Sequence, residues 1–166
     1  QKAVEHAFQS GNSTTLSSLI EQHALAMIYQ GEVATVVGWF DRLPETLLHT
    51  SPLLCIDKAW ALALLQRQTR MEEVERVLQA AAQALAWTDA DQAARDLVAG
   101  HTASIQAYLL QTPALADETP EKLIETSLRA QRLLPAGEKA IRSVNALNIG
   151  HGYAALADLP AAERAF

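Results

Sequence analysis

The chain has 166 residues, 49% hydrophobic and only 5% aromatic, with a formal net charge of −6 and a pI near 5.3. That is long enough for one domain with its own core. Gly and Pro are few, at 7 and 6, while Ala and Leu carry most of the apolar content, which argues against an all-β fold and for closely packed helices. No basic run of the kind a nucleic-acid surface requires is present, and no apolar stretch approaches the length of a membrane span, so neither direct nucleic-acid contact nor membrane insertion is expected. The N-terminus lacks a signal peptide, and the lone Cys55 rules out an internal disulfide, which together point to the cytoplasm. The chain starts at Gln1 and stops at Phe166 within a helical pattern, as expected of a piece of a longer protein.

In chain order, Lys2 to Ser10 reads as the end of a helix closed by Gly11. Asn12 or Ser13 then caps a helix to about Gln30, whose apolar positions are Leu16, Leu19/Ile20, His23/Ala24 and Met27, and Gly31 ends it. A third helix buries Val33, Val36/Val37 and Phe40 and stops at Pro44, and Glu45 to Thr50 reads as a connector. Ser51-Pro52 pairs an N-cap with proline at the first helical position, and Ile56, Ala59/Trp60 and Ala63/Leu64 follow on one stripe. After a polar turn at Gln68 to Arg70, Met71, Val74, Val77/Leu78, Ala81 and Leu85 form the next stripe. Thr88 and Asp91 suggest a capping box for a helix carrying Ala94, Leu97/Val98, His101, Ile105 and Tyr108, with Pro113 past its end. Thr119-Pro120 repeats the cap-plus-proline start, followed by Leu123/Ile124, Ser127/Leu128, Gln131 and Leu134.

The last stretch, Asn145 to Phe166, reads as a helical hairpin turning at Asp158-Leu159-Pro160. Gly150 and Tyr153 on its first helix, with Ala162 and Phe166 on its second, match the offsets of the tetratricopeptide repeat (TPR). Small residues at Gly150 and Ala162 allow close approach, and the two rings fill the space beside it. Positions equivalent to Ala162 fall at Val36, Val74 and Leu123, separated by 38, 49 and 39 residues, so the repeats are long and irregular. One hairpin cannot bury its own apolar face and needs neighbours. The expected fold is therefore all-α: a right-handed α-solenoid of antiparallel helical hairpins, a TPR-like superhelix of about nine helices, forming a single domain over residues 1–166.

The middle of the chain resembles a stretch of large MalT-like transcriptional activators, signal-transduction ATPases of the LuxR-type group. The resemblance rests on Gly31-Glu32, Trp39, Leu43-Pro44, Ser51-Pro52-Leu53, Ala59-Trp60, Glu73 and Leu78, in that order and spacing. The chain departs from the pattern at Gln68-Thr69-Arg70, where a Gly is usual, and at Val74, where Ala is usual. The resemblance implies a TPR-like sensor region between an upstream nucleotide-binding module and a downstream helix-turn-helix, serving effector binding and self-association. No phosphate-loop motif occurs here: Ala136-Gly137-Glu138-Lys139 has one Gly and no Ser or Thr after the Lys. ATP would bind a separate upstream module.

No catalytic, cofactor or metal site is expected: the five histidines show no paired spacing, and no Ser or Cys sits in a nucleophile elbow. Glu72-Glu73-Glu75 suits a solvated helix start. The candidate ligand or partner surface is a polar stripe on the helix after Gly137, Arg142, Asn145 and Asn148 with Gly152 and His151 beside them. Tyr108, His101 and Trp60 on preceding hairpins would join it. The commoner reading of such a stripe is a solvated face, or Asn side chains joining neighbouring hairpins. Partners are thus a protein, a second copy or a small-molecule effector. The alternative to a regulator segment is a stand-alone TPR scaffold or adaptor.

Overall fold

The computed structural model describes residues 2–65, 71–111 and 119–166. Among these residues the protein is all-helical, with ten α-helices and no strand. They are α1 (Lys2–Ser10), α2 (Ser13–Tyr29), α3 (Val33–Arg42), α4 (Glu45–Leu48), α5 (Pro52–Leu65), α6 (Met71–Ala86), α7 (Gln92–Leu110), α8 (Pro120–Leu133), α9 (Lys139–Ala155) and α10 (Leu159–Ala165). The helix beyond the expected nine is α4, a single turn in the stretch read as a connector. The expected turn at Gln68 to Arg70 and Pro113 lie outside the described residues.

Short polar side chains start the helices by accepting hydrogen bonds from otherwise unpaired backbone N–H groups. Asn12 Oδ1 accepts from Thr15 at 3.0 Å, Ser51 Oγ from Leu54 at 3.3 Å, Thr119 Oγ1 from Lys122 at 3.3 Å and Asp158 Oδ1 from Ala161 at 3.1 Å. Gly31 leaves α2 at φ +86, a conformation that favours glycine. The Thr88–Asp91 capping box does not form. Asp91 is itself the cap, accepting from Ala94 N–H at 2.8 Å, while the Thr88 hydroxyl donates back to Leu85 O at 2.9 Å and finishes α6.

The chain divides into two compact units, Gln1–Asp89 and Ala90–Phe166. In the first, α5 is central and packs on α2, α3, α4 and α6. It is buried around nearly its whole circumference, through Leu54, Cys55, Ile56, Ala59, Trp60, Ala61, Leu62 and Ala63. Leu16, Ile20 and Ala24 of α2 face the core as expected, but the next buried position is Ile28, with Met27 and His23 only half-buried. Arg42 of α3 ties down α1: its guanidinium meets Glu5 at 2.9 Å and lies 3.9 Å above the Phe8 ring.

In the second unit α8 packs on both α7 and α9, and α10 packs on α9. Glycines set the closeness. A Cβ at Gly100 would lie 2.8 Å from Leu134 Cγ, and one at Gly152 would lie 2.5 Å from Ile124 Cγ1 and 3.2 Å from the Pro120 carbonyl. A Cβ at Gly150 would lie 2.4 Å from the Phe166 ring. Phe166 therefore covers Gly150 directly, beside a buried Ala162, whereas Tyr153 turns toward α8.

Candidate functional site

Arg142, Asn145 and Asn148 of α9 face its neighbours α7 and α8. Arg142 donates to Gln131 O at 2.7 Å and to Leu134 O at 2.9 Å, and Gln131 Nε2 donates back to Arg142 O at 2.6 Å. A cation there meets the unpaired carbonyls that end α8 and the negative end of its dipole. One turn on, Asn145 is fully buried and donates from Nδ2 to Ser104 Oγ at 2.8 Å, and Ser104 donates to Gly100 O at 2.9 Å. Asn148 Oδ1 accepts from Gln111 Nε2 at 2.7 Å, and His151 Nδ1 lies 3.4 Å from Gln111 Oε1. These contacts form a polar seam along the α7–α8–α9 interface.

His101 closes the seam at the start of α9, with Nε2 3.7 Å from Glu138 Oε2. Burial lowers its pKa from 6.5 to about 4, so the imidazole is neutral at pH 7 and the contact is not an ion pair there. Three buried atoms of the seam, Gln131 Oε1, Asn145 Oδ1 and Asn148 Nδ2, and Ser127 Oγ of α8 have no hydrogen-bond partner among the described residues. Buried polar atoms are ordinarily paired. The seam thus has donors and acceptors in reserve, all carried by uncharged groups.

The predicted surface residues are therefore placed differently from one another. Arg142, Asn145 and Asn148 join helices, the alternative left open by the sequence. His101 and Gly152 are buried, and Tyr108 is half-buried. His151 is exposed and meets the Phe166 ring edge-on, centroids 5.9 Å apart. Trp60 belongs to the first unit, buried in α5. The sequence reading missed Ser104 and Gln111 as seam members. A signal existed: His101, Ser104 and Gln111 recur at spacings of one and two turns on the α7 face.

Among its described residues the first unit has one buried charged group, Asp57 of α5, whose pKa is raised by burial and then by the Glu21 carboxylate. Ser51 donates a hydrogen bond to Glu21. The Cys55 thiol donates to Leu48 O at 3.1 Å, and burial pushes its pKa up to about 11, which keeps it protonated and unreactive at neutral pH. Among the described residues no group of three or more His, Cys, Asp or Glu side chains is arranged to hold a metal, and no helix is long and apolar enough to cross a membrane.

On the outside of the second unit, α8 and α9 frame an open groove of about 320 Å³. Glu121, Ile124, Glu125, Leu128 and Arg132 line it from α8, Tyr153 from α9 and Leu156 from just past the end of α9.

The second unit thus carries a polar seam between its helices and an open, largely apolar groove between α8 and α9. In sequence, the chain is 32% identical over 80 residues, 48% of its length, to the HTH-type transcriptional regulator MalT of Yersinia pestis (strain Pestoides F). It is 26% identical over 124 residues, 75% of its length, to the HTH-type transcriptional regulator MalT of Vibrio cholerae serotype O1. The chain is thus distantly homologous, over part of its length, to MalT regulators. The matched stretches make up only 8% and 13% of those proteins. No family model and no solved structure matches the chain.

Proposed function

We propose that this chain is the sensor and protein-interaction segment of a MalT-like, ATP-dependent, cytoplasmic transcriptional regulator. In this reading each unit is a piece of a right-handed, TPR-like α-solenoid of antiparallel hairpins, offering a surface for an effector or for self-association. The observation that carries it is the partial homology to MalT regulators. Two contacts within the second unit support antiparallel packing: Ile124 near the start of α8 lies by Gly152 near the end of α9, and Leu134 just past α8 accepts from Arg142 near the start of α9. Catalysis, ATP binding and DNA contact are assigned to modules other than this segment. Arg142, Asn145 and Asn148 would then act on an effector indirectly, by holding α9 in place, with His151 and Tyr108 at the accessible edge.

The test is genetic and biochemical. In the full-length gene, the regulator reading expects a phosphate loop upstream and a helix-turn-helix downstream. Deleting this segment should abolish effector-dependent transcription while leaving DNA binding by the remainder intact. A complete gene of about this length with neither module would reject the reading in favour of a stand-alone TPR adaptor.

A further inference from the structure

From the groove between α8 and α9 we infer a docking site for an amphipathic helix of a protein partner, lying antiparallel to α8. The floor is apolar and reaches solvent: Leu128 is 37% and Leu156 41% exposed, with Ile124 and Tyr153 beside them. Glu121, Glu125, Leu128 and Arg132 recur at i, i+4, i+7 and i+11, which places them on one face of α8. None of these three charged side chains has an ion pair or hydrogen bond among the described residues. Glu121 and Arg132 sit at opposite ends of the groove, about 16 Å apart at 1.5 Å per residue, with Glu125 one turn in from Glu121.

That layout selects the occupant. A helix buries its backbone polar groups within itself, whereas an extended strand in this groove would find no sheet edge to pair with. Helices favour acidic residues in the first turn and basic ones in the last. Laid antiparallel to α8, such a helix sets its acidic first turn against Arg132 and its basic last turn against Glu121 and Glu125. Apolar residues at i, i+4 and i+7 between them meet Leu128, Tyr153 and Leu156. The groove would accept this partner whether or not the chain belongs to a regulator.

The probe is a fluorescein-labelled helical peptide with Glu in its first turn, Leu at i, i+4 and i+7, and Lys in its last turn, read by anisotropy against the whole chain. Its charge-reversed twin serves as comparison. The parent chain should prefer the first peptide. Leu128→Asp should weaken binding about tenfold or more, while Leu147→Asp, at an exposed α9 position outside the groove, should leave it unchanged. Glu121→Lys/Glu125→Lys/Arg132→Glu should reverse the preference. These sites are exposed or rim positions, and circular dichroism checks that the helices persist. Absence of binding, equal binding of the two peptides, or insensitivity to Leu128→Asp overturns the proposal. So does concentration-dependent self-association abolished by Leu128→Asp, which would make a second copy the occupant.

Discussion

Among the described residues, the largest fully buried side chains of the first unit are Trp39, Ile20, Leu54, Ile56, Leu62, Val4, Val36 and Val74, whereas those of the second are Ile105, His101 and Asn145. The same asymmetry runs through smaller groups. Ser104, Ser127 and Asn148 are buried in the second unit, and Asp57 is the only buried polar or charged residue described in the first. The first unit is held by non-directional apolar burial around α5, which fixes composition more than geometry. The second is held by directional hydrogen bonds and by glycines that admit one neighbour each. A single turn of slip along α9 would separate Asn145 from Ser104 and Gly152 from Ile124 together. Specificity of packing is therefore concentrated in the unit that also carries the open groove.

The largest expected effect is on the apolar side. Trp39→Ala should destabilise by about 3–5 kcal/mol through lost burial and the cavity left behind, measured by denaturant unfolding. A loss no larger than that from Asn145→Ala would remove the contrast between the units.

Next in size is a difference in pH response. His101 is only 2% exposed, with a folded pKa of about 4 against an ordinary 6.5. Between those values the unfolded chain takes up a proton that the folded chain refuses. Stability fully present above pH 6.5 should thus fall as pH drops toward 4, by up to about 3 kcal/mol. Asp57 has the opposite sign: its pKa is raised above 3.8, so the stability it permits is complete below 3.8 and is lost as pH rises through the folded value. Unfolding midpoints across pH should show His101→Gln flattening the acid limb. Asp57→Asn should raise the midpoint at pH 7 and have no effect below pH 3.8. Unchanged slopes in both variants would contradict the burial assigned to these groups.

Much of the helical framework was legible because it depends on neighbours in sequence. Asn12, Ser51 and Thr119 cap helices by accepting from an N–H three residues on, so the motif is complete within the sequence. The all-α class and the extra turn at α4 differ in the same way: long periodic stripes declare themselves, but a four-residue turn after Pro44 carries too little pattern. The seam was only half legible. Arg142, Asn145 and Asn148 could be placed on one face by spacing, but whether that face met water or another helix depended on Ser104, Gln111 and Gln131, which lie between 11 and 41 residues away. Pairing over such distances leaves no local signature. For Trp60, inter-helix packing is the commoner role of a tryptophan on a helical stripe, and repeat position alone does not separate that role from a place in a groove; in the structure it is buried in α5.

The seam can be probed through its hydrogen bond. Asn145→Ala should cost about 1–3 kcal/mol, because it removes a buried donor and leaves a gap. Replacing both partners, Ser104→Ala with Asn145→Leu, should come within about 1 kcal/mol of the parent, since no group is stranded and the branched side-chain shape is kept. A double variant as unstable as the single would assign the effect to shape and not to the bond.

The smallest and most discriminating pair concerns glycine. Gly38 lies inside α3 of the first unit, and a Cβ there meets nothing within 4 Å. Gly38→Ala should stabilise by roughly 0.5–1 kcal/mol, by restricting the unfolded chain and favouring the helix. Gly152→Ala makes the same chemical change inside α9 but sets a methyl 2.5 Å from Ile124 Cγ1 and 3.2 Å from the Pro120 carbonyl. The side chain can yield, but the backbone oxygen moves only with α8. A net loss of about 1–3 kcal/mol is expected, smaller in an Ile124→Ala background, where the methyl finds space. If the two Gly→Ala variants shift the unfolding midpoint in the same direction, α8 and α9 are less closely packed than the Arg142 contacts require.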